Sequence, residues 1–348
     1  MIIGKKIIAD NAPVFVIAEA GSNHNGDLNI AKELVIVARE SGADCIKFQT
    51  YTAEEFCLDP NKNFTYLSQG KSVTESELQM FKRLQFTKDQ WIELIEFCNK
   101  QEIHFLTTIQ DPVNLEMMLE LGIDAIKVGS DDFDHLINLR KYANTGLPLI
   151  VSKGMATESE VEMVINELES LCQGGLIVMH CVSLYPADDK FLNLNQIRIL
   201  KEKYPKIIFG FSDHSQSVVA PALAVALGAK VIEKHFTLDN GLPGPDHWFS
   251  MNPEQLSEMV RNIRHAERAV GDGSLKPSAE EMISKSIMRR RVVVKRDLQK
   301  GEILIEDLVH FKRANEGIYA GEWGRVAGRK LAKPKVKNDT LKIEDIEF

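Results

Sequence analysis

The chain has 348 residues, 44% of them hydrophobic, and a formal net charge of −8. That length holds one large domain and a small one around a substantial core. The acidic balance argues against general binding to polyanions, yet leaves room for a local basic cluster that grips a small phosphorylated ligand. No stretch approaches about 18 uninterrupted apolar residues, and the opening Met1-Ile2-Ile3-Gly4-Lys5-Lys6 lacks the features of a signal peptide, so a cytoplasmic protein with no membrane partner is expected. The five cysteines (Cys45, Cys57, Cys98, Cys172, Cys181) are odd in number, widely separated and never spaced Cys-x-x-Cys, which argues against a disulfide framework or a thiolate zinc site.

From residue 14 to about 270, short apolar or β-branched runs alternate with longer amphipathic stretches, the pattern of βα units. Eight strands are predicted, near 14–20, 45–50, 103–109, 125–129, 148–152, 175–181, 207–212 and 231–236. Helical periodicity fills the gaps, as in Ile30, Leu34, Val37 and Ala38, or Val161, Val164, Ile165 and Leu168. Eight units in one domain over residues 1–270 fit the (β/α)8 TIM barrel, an α/β fold whose active sites lie at the C-terminal ends of the strands. A doubly wound open sheet competes, but its Gly-x-Gly-x-x-Gly turn is replaced here by Gly21-Ser22-Asn23-His24-Asn25-Gly26. The insertion after the second run exceeds an ordinary βα loop and is expected to be an excursion over the barrel mouth or a mobile segment. The stretch from Gly271 to Ser278 breaks the periodicity and opens a linker assigned to 271–284. Residues 285–348 then read as a small β-rich domain with short strands around 291–294, 297–304 and 339–341, expected to depend on docking because so few residues can build a core.

The chemistry concentrates at strand ends. His214 in Phe211-Ser212-Asp213-His214 and His235 in Glu233-Lys234-His235-Phe236 follow consecutive apolar runs, and a strand, crossover helix and parallel strand can aim both imidazoles at one edge of a sheet. With Asp246 and His247 close behind, they read as two ligands of one divalent metal able to polarise a carbonyl; the plainer reading is that each is a hydrogen-bonded strand-end histidine. Glu19 ends the first strand, where a carboxylate is costly in the core and useful at the mouth for proton transfer or for orienting a hydroxyl group or water; a solvated strand end or a helix-capping partner is the alternative. Lys47 and Lys127 stand at equivalent places in Cys45-Ile46-Lys47-Phe48-Gln49 and Ala125-Ile126-Lys127-Val128-Gly129, which points to an anion site, although snorkelling explains either alone. Thr107, Thr108, Ser130, Ser152, Ser183 and Ser212 add hydroxyl donors, and Tyr185-Pro186 either shapes the rim or simply turns the chain. Arg289-Arg290-Arg291 reads as a solvated face, so nucleic acid is not an expected partner, and no Walker loop, Gly-x-Ser-x-Gly elbow or zinc-protease helix is present.

On Ile17-Ala18-Glu19-Ala20-Gly21-Ser22-Asn23-His24-Asn25-Gly26, Ile46-Lys47-Phe48-Gln49-Thr50, Lys127-Val128-Gly129-Ser130, Gly154-Met155-Ala156-Thr157, Ser212-Asp213-His214, Glu233-Lys234-His235-Phe236-Thr237 and Gly244-Pro245-Asp246-His247, the chain resembles the sialic acid synthase family along nearly its whole length. Its C-terminal piece resembles the antifreeze-like (SAF) domain that accompanies these barrels. The resemblance implies condensation of phosphoenolpyruvate with an open-chain N-acetylated amino sugar, such as N-acetylmannosamine or a 2,4-diacetamido-6-deoxyhexose, to give a nonulosonic acid and phosphate. It further implies a divalent cation, Mn2+ before Mg2+ or Co2+, on His214 and His235; phosphoenolpyruvate among Lys47, Thr108, Lys127, Ser130, Ser152, Ser183 and Ser212; and Glu19, Gln49, Tyr185 and Asp246 about the sugar, water or metal. Arg313 is the position matching an arginine that a partner subunit lends to the sugar's acetamido group, which implies a domain-exchanged homodimer. Thr107-Thr108-Ile109-Gln110-Asp111 departs from the family's Ser/Thr-Pro-Phe, Lys153 replaces a common threonine, and Arg313-Ala314-Asn315-Glu316-Gly317 departs from Arg-Pro-Gly-x-Gly. Gln69-Gly70-Lys71-Ser72 lacks a clear match to a sugar-contacting asparagine of some members, so the acceptor stays open. Another metal-dependent barrel aldolase or lyase, and a noncatalytic carbohydrate-binding protein, are the competing readings.

Overall fold

Each predicted apolar run forms a parallel strand in the computed structural model, which describes residues 1–348. The strands are β1 (Phe15–Gly21), β2 (Cys45–Thr50), β3 (His104–Ile109), β4 (Ile126–Val128), β5 (Leu149–Ser152), β6 (Leu176–Cys181), β7 (Ile208–Asp213) and β8 (Val231–His235). They pair in sequence order, and β8 closes on β1 with His235 opposite Glu19, making a closed barrel. A short N-terminal ribbon, Ile2–Ile3 against Lys6–Ile7, brings Ile3 and Ile8 into the apolar cluster inside the barrel.

The crossover helices bury one stripe each against the barrel's outer face. In α1 (Leu28–Glu40) that stripe is Ala31, Leu34, Val35 and Ala38, one step around from the expected one, so Ile30 and Val37 are only partly covered. In the helix Glu158–Leu168 the expected Val161, Val164, Ile165 and Leu168 are all buried. Local signals start the helices where the strands release the chain: Asp27 accepts from the Asn29 amide, and Thr157 with Glu160 forms a capping box.

The insertion after β2 is folded. It carries a short helix (Ala53–Phe56), an antiparallel hairpin (Asn63–Ser68 with Lys71–Ser76) and a helix (Glu77–Leu84) capped by Ser76. Two contacts tie the hairpin to the segment after β8: Ser68 Oγ accepts from the Gly244 amide at 3.1 Å, and Gln69 donates to the Gly241 carbonyl at 2.9 Å. No helix is long and apolar enough to cross a membrane.

The chain divides into two units, Met1–Gly271 and Asp272–Phe348. Part of the stretch assigned to the linker is helical: Ser278 caps a helix over Ala279–Met288 and Glu280 and Glu281 favour its first turn. Strand Arg290–Val294 pairs with strand Val309–Arg313, whereas 297–304 contributes only isolated bridges at Leu298 and Ile303. The small unit has a core of its own, in which Val292, Val294, Leu298, Leu304, Val326 and Leu331 are fully buried, because short strands and turns converge their apolar residues on one point. Arg291 also departs from the solvated-face reading: it is buried, lies 3.4 Å over the Tyr319 ring and donates to the Gly317 carbonyl.

Candidate active site

Strand side chains alternate, and in this barrel the inward line of each strand changes character along its length. Phe15 and Ile17 lead to Glu19 in β1; Cys45 to Lys47 and Gln49 in β2; Leu106 to Thr108 in β3; Ala125 to Lys127 in β4; and Ile150 to Ser152 in β5. Ile177 and Met179 lead to Cys181 in β6, and Val231 to Glu233 and His235 in β8. The first residue of each line plugs the barrel, and the last faces a cavity of about 410 Å³ at the C-terminal mouth. The intervening residues, such as Ala18, Ile46, Phe48, Val128 and Val151, turn outward into the layer against the helices.

The cavity therefore gathers Glu19, Lys47, Gln49, Thr108, Lys127, Ser130, Ser152, Ser183, Tyr185, Ser212, His214 and His235 in its wall. Asp246 lines an adjoining space and approaches His235, Oδ2 to Nδ1, at 3.8 Å. Arg313 belongs to the second unit, at the exposed end of its strand.

Charge dominates the floor. Lys47 lies 2.8 Å from Glu19, donates to Thr108 Oγ1 at 2.8 Å and stands 3.8 Å from Glu233. Lys127 donates to Ser152 Oγ at 2.7 Å and is 3.9 Å from Glu233, which also accepts from Ser212 at 3.0 Å. All four charged groups are at least 95% buried. Burial penalises each charge, and the alternation of signs answers that penalty. Burial pushes the Glu19 carboxyl up to about 7 despite Lys47. Burial also pushes Glu233 upward, but Lys127 and Lys47 outweigh it and hold it below the ordinary carboxylate value. Burial alone would lower Lys47, yet Glu19 and Glu233 hold it up, while Lys127 is lowered by burial that Glu233 only partly offsets.

The two imidazoles share one wall, with ring centroids 5.4 Å apart. His214 Nδ1 sits 2.8 Å from the Val182 carbonyl, which can only accept, so Nδ1 carries the proton and Nε2 the lone pair. Tyr185 stacks on His214 at 4.1 Å. His235 is held neutral by burial and by His214 and the lysines, and its Nδ1 is buried without a hydrogen-bond partner. Burial raises Asp246 to about 6. No cluster of three or more His, Cys, Asp or Glu is arranged around a common point. Burial lowers His214, but Cys181 and the Val182 carbonyl outweigh it and hold it above the ordinary imidazole value. The pair could hold a cation through a lone pair on neutral His235 and, once His214 has given up its proton, through Nε2 of that ring.

Among the wall residues not singled out from the sequence are Glu233 and Cys181. Glu233 bridges both lysines, and its place two residues before His235 on one strand face was the available signal. Cys181 lies 3.8 Å from His214 Nδ1, and nothing in a lone cysteine at the end of β6 distinguishes it from core. Lys234, between Glu233 and His235, faces the other way and pairs with Asp213 at 2.6 Å. Ser183 Oγ and Glu233 Oε2 are buried without hydrogen-bond partners, and a Cβ at Gly154 would collide with the hydroxyls of Ser183 and Ser130, so the glycine leaves room for both donors.

The raised acid at Glu19 has a signed consequence. A folded-state pKa of about 7 against an ordinary 4.5 means that its contribution to stability is full below about 4.5 and is lost as pH rises through 7. The Glu19→Gln variant, neutral throughout, should gain on the wild type between pH 5 and pH 8 by on the order of 2 kcal/mol. Urea denaturation at the two pH values measures it; a difference that does not change with pH refutes the assignment.

The NeuB family profile matches residues 34–275, and the SAF domain profile matches residues 289–347. The chain is 37% identical to the N,N'-diacetyllegionaminic acid synthase of Legionella pneumophila, over 96% of this chain and 94% of that protein. It is 38% identical to the N,N'-diacetyllegionaminic acid synthase of Campylobacter jejuni, over 94% of this chain and 98% of that one. Among solved structures, the N-acetylneuraminic acid (sialic acid) synthetase of Leptospira borgpetersenii superposes with a TM-score of 0.74 at 35% identity, covering 83% of this chain and 96% of that one. Barrel, mouth chemistry and C-terminal module thus agree with the matched profiles: the chain belongs to the NeuB family and ends in a SAF domain.

Proposed function

We propose that this chain is a nonulosonic acid synthase, condensing phosphoenolpyruvate with an open-chain N-acetylated amino sugar to a 2-keto acid and phosphate. The observation that carries this reading is the floor of the mouth, where two buried ammonium groups and several hydroxyls converge beside Glu19 and the two imidazoles. Lys47 and Lys127 match the phosphate and carboxylate of phosphoenolpyruvate, with Thr108, Ser130, Ser152, Ser183 and Ser212 as donors. The two relatives at 37% and 38% identity, both N,N'-diacetyllegionaminic acid synthases, favour an acceptor of the 2,4-diacetamido-6-deoxy type over N-acetylmannosamine.

In this mechanism C3 of phosphoenolpyruvate bonds to the aldehyde carbon, cationic character develops at C2, water adds there, and the C2–O bond to phosphate breaks. Holding both reactants in one mouth makes the encounter effectively unimolecular. A divalent cation on His214 and His235, Mn2+ before Mg2+ or Co2+, would polarise the aldehyde. Glu19, with Gln49 beside it at 3.3 Å, is set to orient the attacking water and exchange its proton. Its pKa of about 7 suits that duty near neutrality, and an anionic substrate on Lys47 would raise it further by weakening the ion pair. Asp246 and Tyr185 would address the sugar, and Arg313 of the partner subunit would complete the site in a domain-exchanged homodimer.

Purified protein given phosphoenolpyruvate, Mn2+ and a panel of N-acetylated hexosamines should release phosphate only when an acceptor is present. Acceptor consumption without phosphate release would indicate an aldolase, and sugar binding without turnover on any acceptor would indicate a binding protein. His214→Ala and His235→Ala should each weaken Mn2+ binding at least about tenfold with circular dichroism unchanged; unaltered affinity in both removes them as ligands. Mixing inactive Glu19→Gln and Arg313→Ala subunits should restore roughly a quarter of wild-type activity, since half the pairs would carry one intact site. No recovery after confirmed subunit exchange counts against the shared site.

A further inference from the structure

We infer that the groove between two outer helices, Glu158–Leu168 and Asn195–Lys203, is a second ligand site, which takes a small carboxylate carried on an apolar body and pairs it with Lys153. Such a site stands whether or not the mouth performs the synthase reaction. The groove holds about 340 Å³ on the outside of the barrel and shares no lining residue with the mouth.

Lys153 supplies the charge. It follows β5 directly, so strand alternation turns it away from the mouth that Ser152 faces. Four lysines of this chain are buried, and three of them have a carboxylate: Lys47 lies 2.8 Å from Glu19, Lys127 3.9 Å from Glu233 and Lys234 2.6 Å from Asp213. Lys153, itself 5% exposed, has no such partner, and its Nζ donates to the side-chain oxygen of Gln196 at 2.8 Å. Burial lowers this ammonium, and the group that works against burial is Cys181, on the mouth side of the neighbouring strand. An ammonium shielded from water without an opposite charge is unfavourable, and an anion in the groove would relieve it. The position also sets this chain apart in sequence, since a threonine is common there in the family.

The walls define the rest of the ligand. Ala156 and Val161 on one side, and Ile199, Leu200 and Tyr204 on the other, present carbon to the space. Lys203 at the rim is already answered, 2.9 Å from Glu158 and paired with Glu162 as well, which leaves Lys153 as the ammonium with donors free. One free ammonium matches one carboxylate better than a phosphate monoester with its roughly two charges, and the apolar walls favour an aliphatic or aromatic body. The groove also backs on the catalytic wall. Lys153 stands between Ser152, whose hydroxyl accepts from Lys127, and Gly154, whose amide donates to Ser130 Oγ at 3.0 Å.

Saturation-transfer NMR on the full chain, with phosphoenolpyruvate in excess to occupy the mouth, tests phenylacetate, 4-methylpentanoate and indole-3-acetate. Acetate, which lacks the body, and phenylacetamide, which lacks the charge, serve as comparators. At least one of the three carboxylates should bind, with both comparators weaker by about tenfold or more, the factor that a lost charged hydrogen bond commands. Lys153→Met, similar in length, and Ile199→Glu, at a position 52% exposed on the outer helix, should each weaken that binding by about tenfold or more with circular dichroism unchanged. Should Lys153→Met fail to fold, Ile199→Glu decides the matter. No binding by any of the three carboxylates, phenylacetamide binding as well as phenylacetate, or binding that persists in a folded variant overturns the inference.

Discussion

The mouth of this barrel is organised by a buried row of alternating charge, Glu19, Lys47, Glu233 and Lys127. Four such groups shielded from water would be untenable singly, since each carries a desolvation cost of several kcal/mol. Held on neighbouring strands they answer one another, and the hydroxyls of Thr108, Ser152 and Ser212 take up further valences. The strand register fixes the row: Glu19 lies beside Lys47 between β1 and β2, and Thr108 beside Lys127 between β3 and β4. A polyanion entering the mouth would substitute for the carboxylates as the partner of the ammonium groups. The row thus offers two ammonium groups whose present partners are carboxylates of the protein itself.

The apolar half of each inward line makes that row possible. Phe15, Ile17, Leu106, Ile150 and Ile177 close the interior beneath it and keep water from reaching it from below. Around the barrel the outward residues pack against helices, so one strand serves packing with one face and chemistry with the other.

Much of this was legible in the chain. Eight apolar runs spaced by helical periodicity suffice for the barrel, because strand and helix periods differ and because β-branched residues cluster in the runs. Glu19, Lys47 and Lys127 stood out since charge inside an apolar run requires a reason. Glu233 did not, lying in Glu233-Lys234-His235, where three polar residues in succession hide which of them point inward. The core of the small unit was also hidden: Leu298, Val326 and Leu341 come from turns and short pieces, and no period announces their convergence. Arg291 looked like one of three solvated charges because stacking on Tyr319 is a tertiary fact. The space beside the mouth lined by Phe64, Tyr66, Trp248 and Phe249 likewise arises from segments far apart in the chain, the insertion and the stretch after β8.

The seam between β1 and β8 has a consequence for synthesis. Glu19 emerges from the ribosome well before His235, which comes only after the seventh strand, yet the two are direct neighbours in the closed ring. A nascent or truncated chain that stops short of β8 has an open ring, with Val16, Ala18 and the rest of β1 offering an unpaired hydrogen-bonding edge. Premature termination therefore leaves an exposed strand edge and only one of the two mouth imidazoles. Completion of the last strand both seals that edge and delivers the second imidazole.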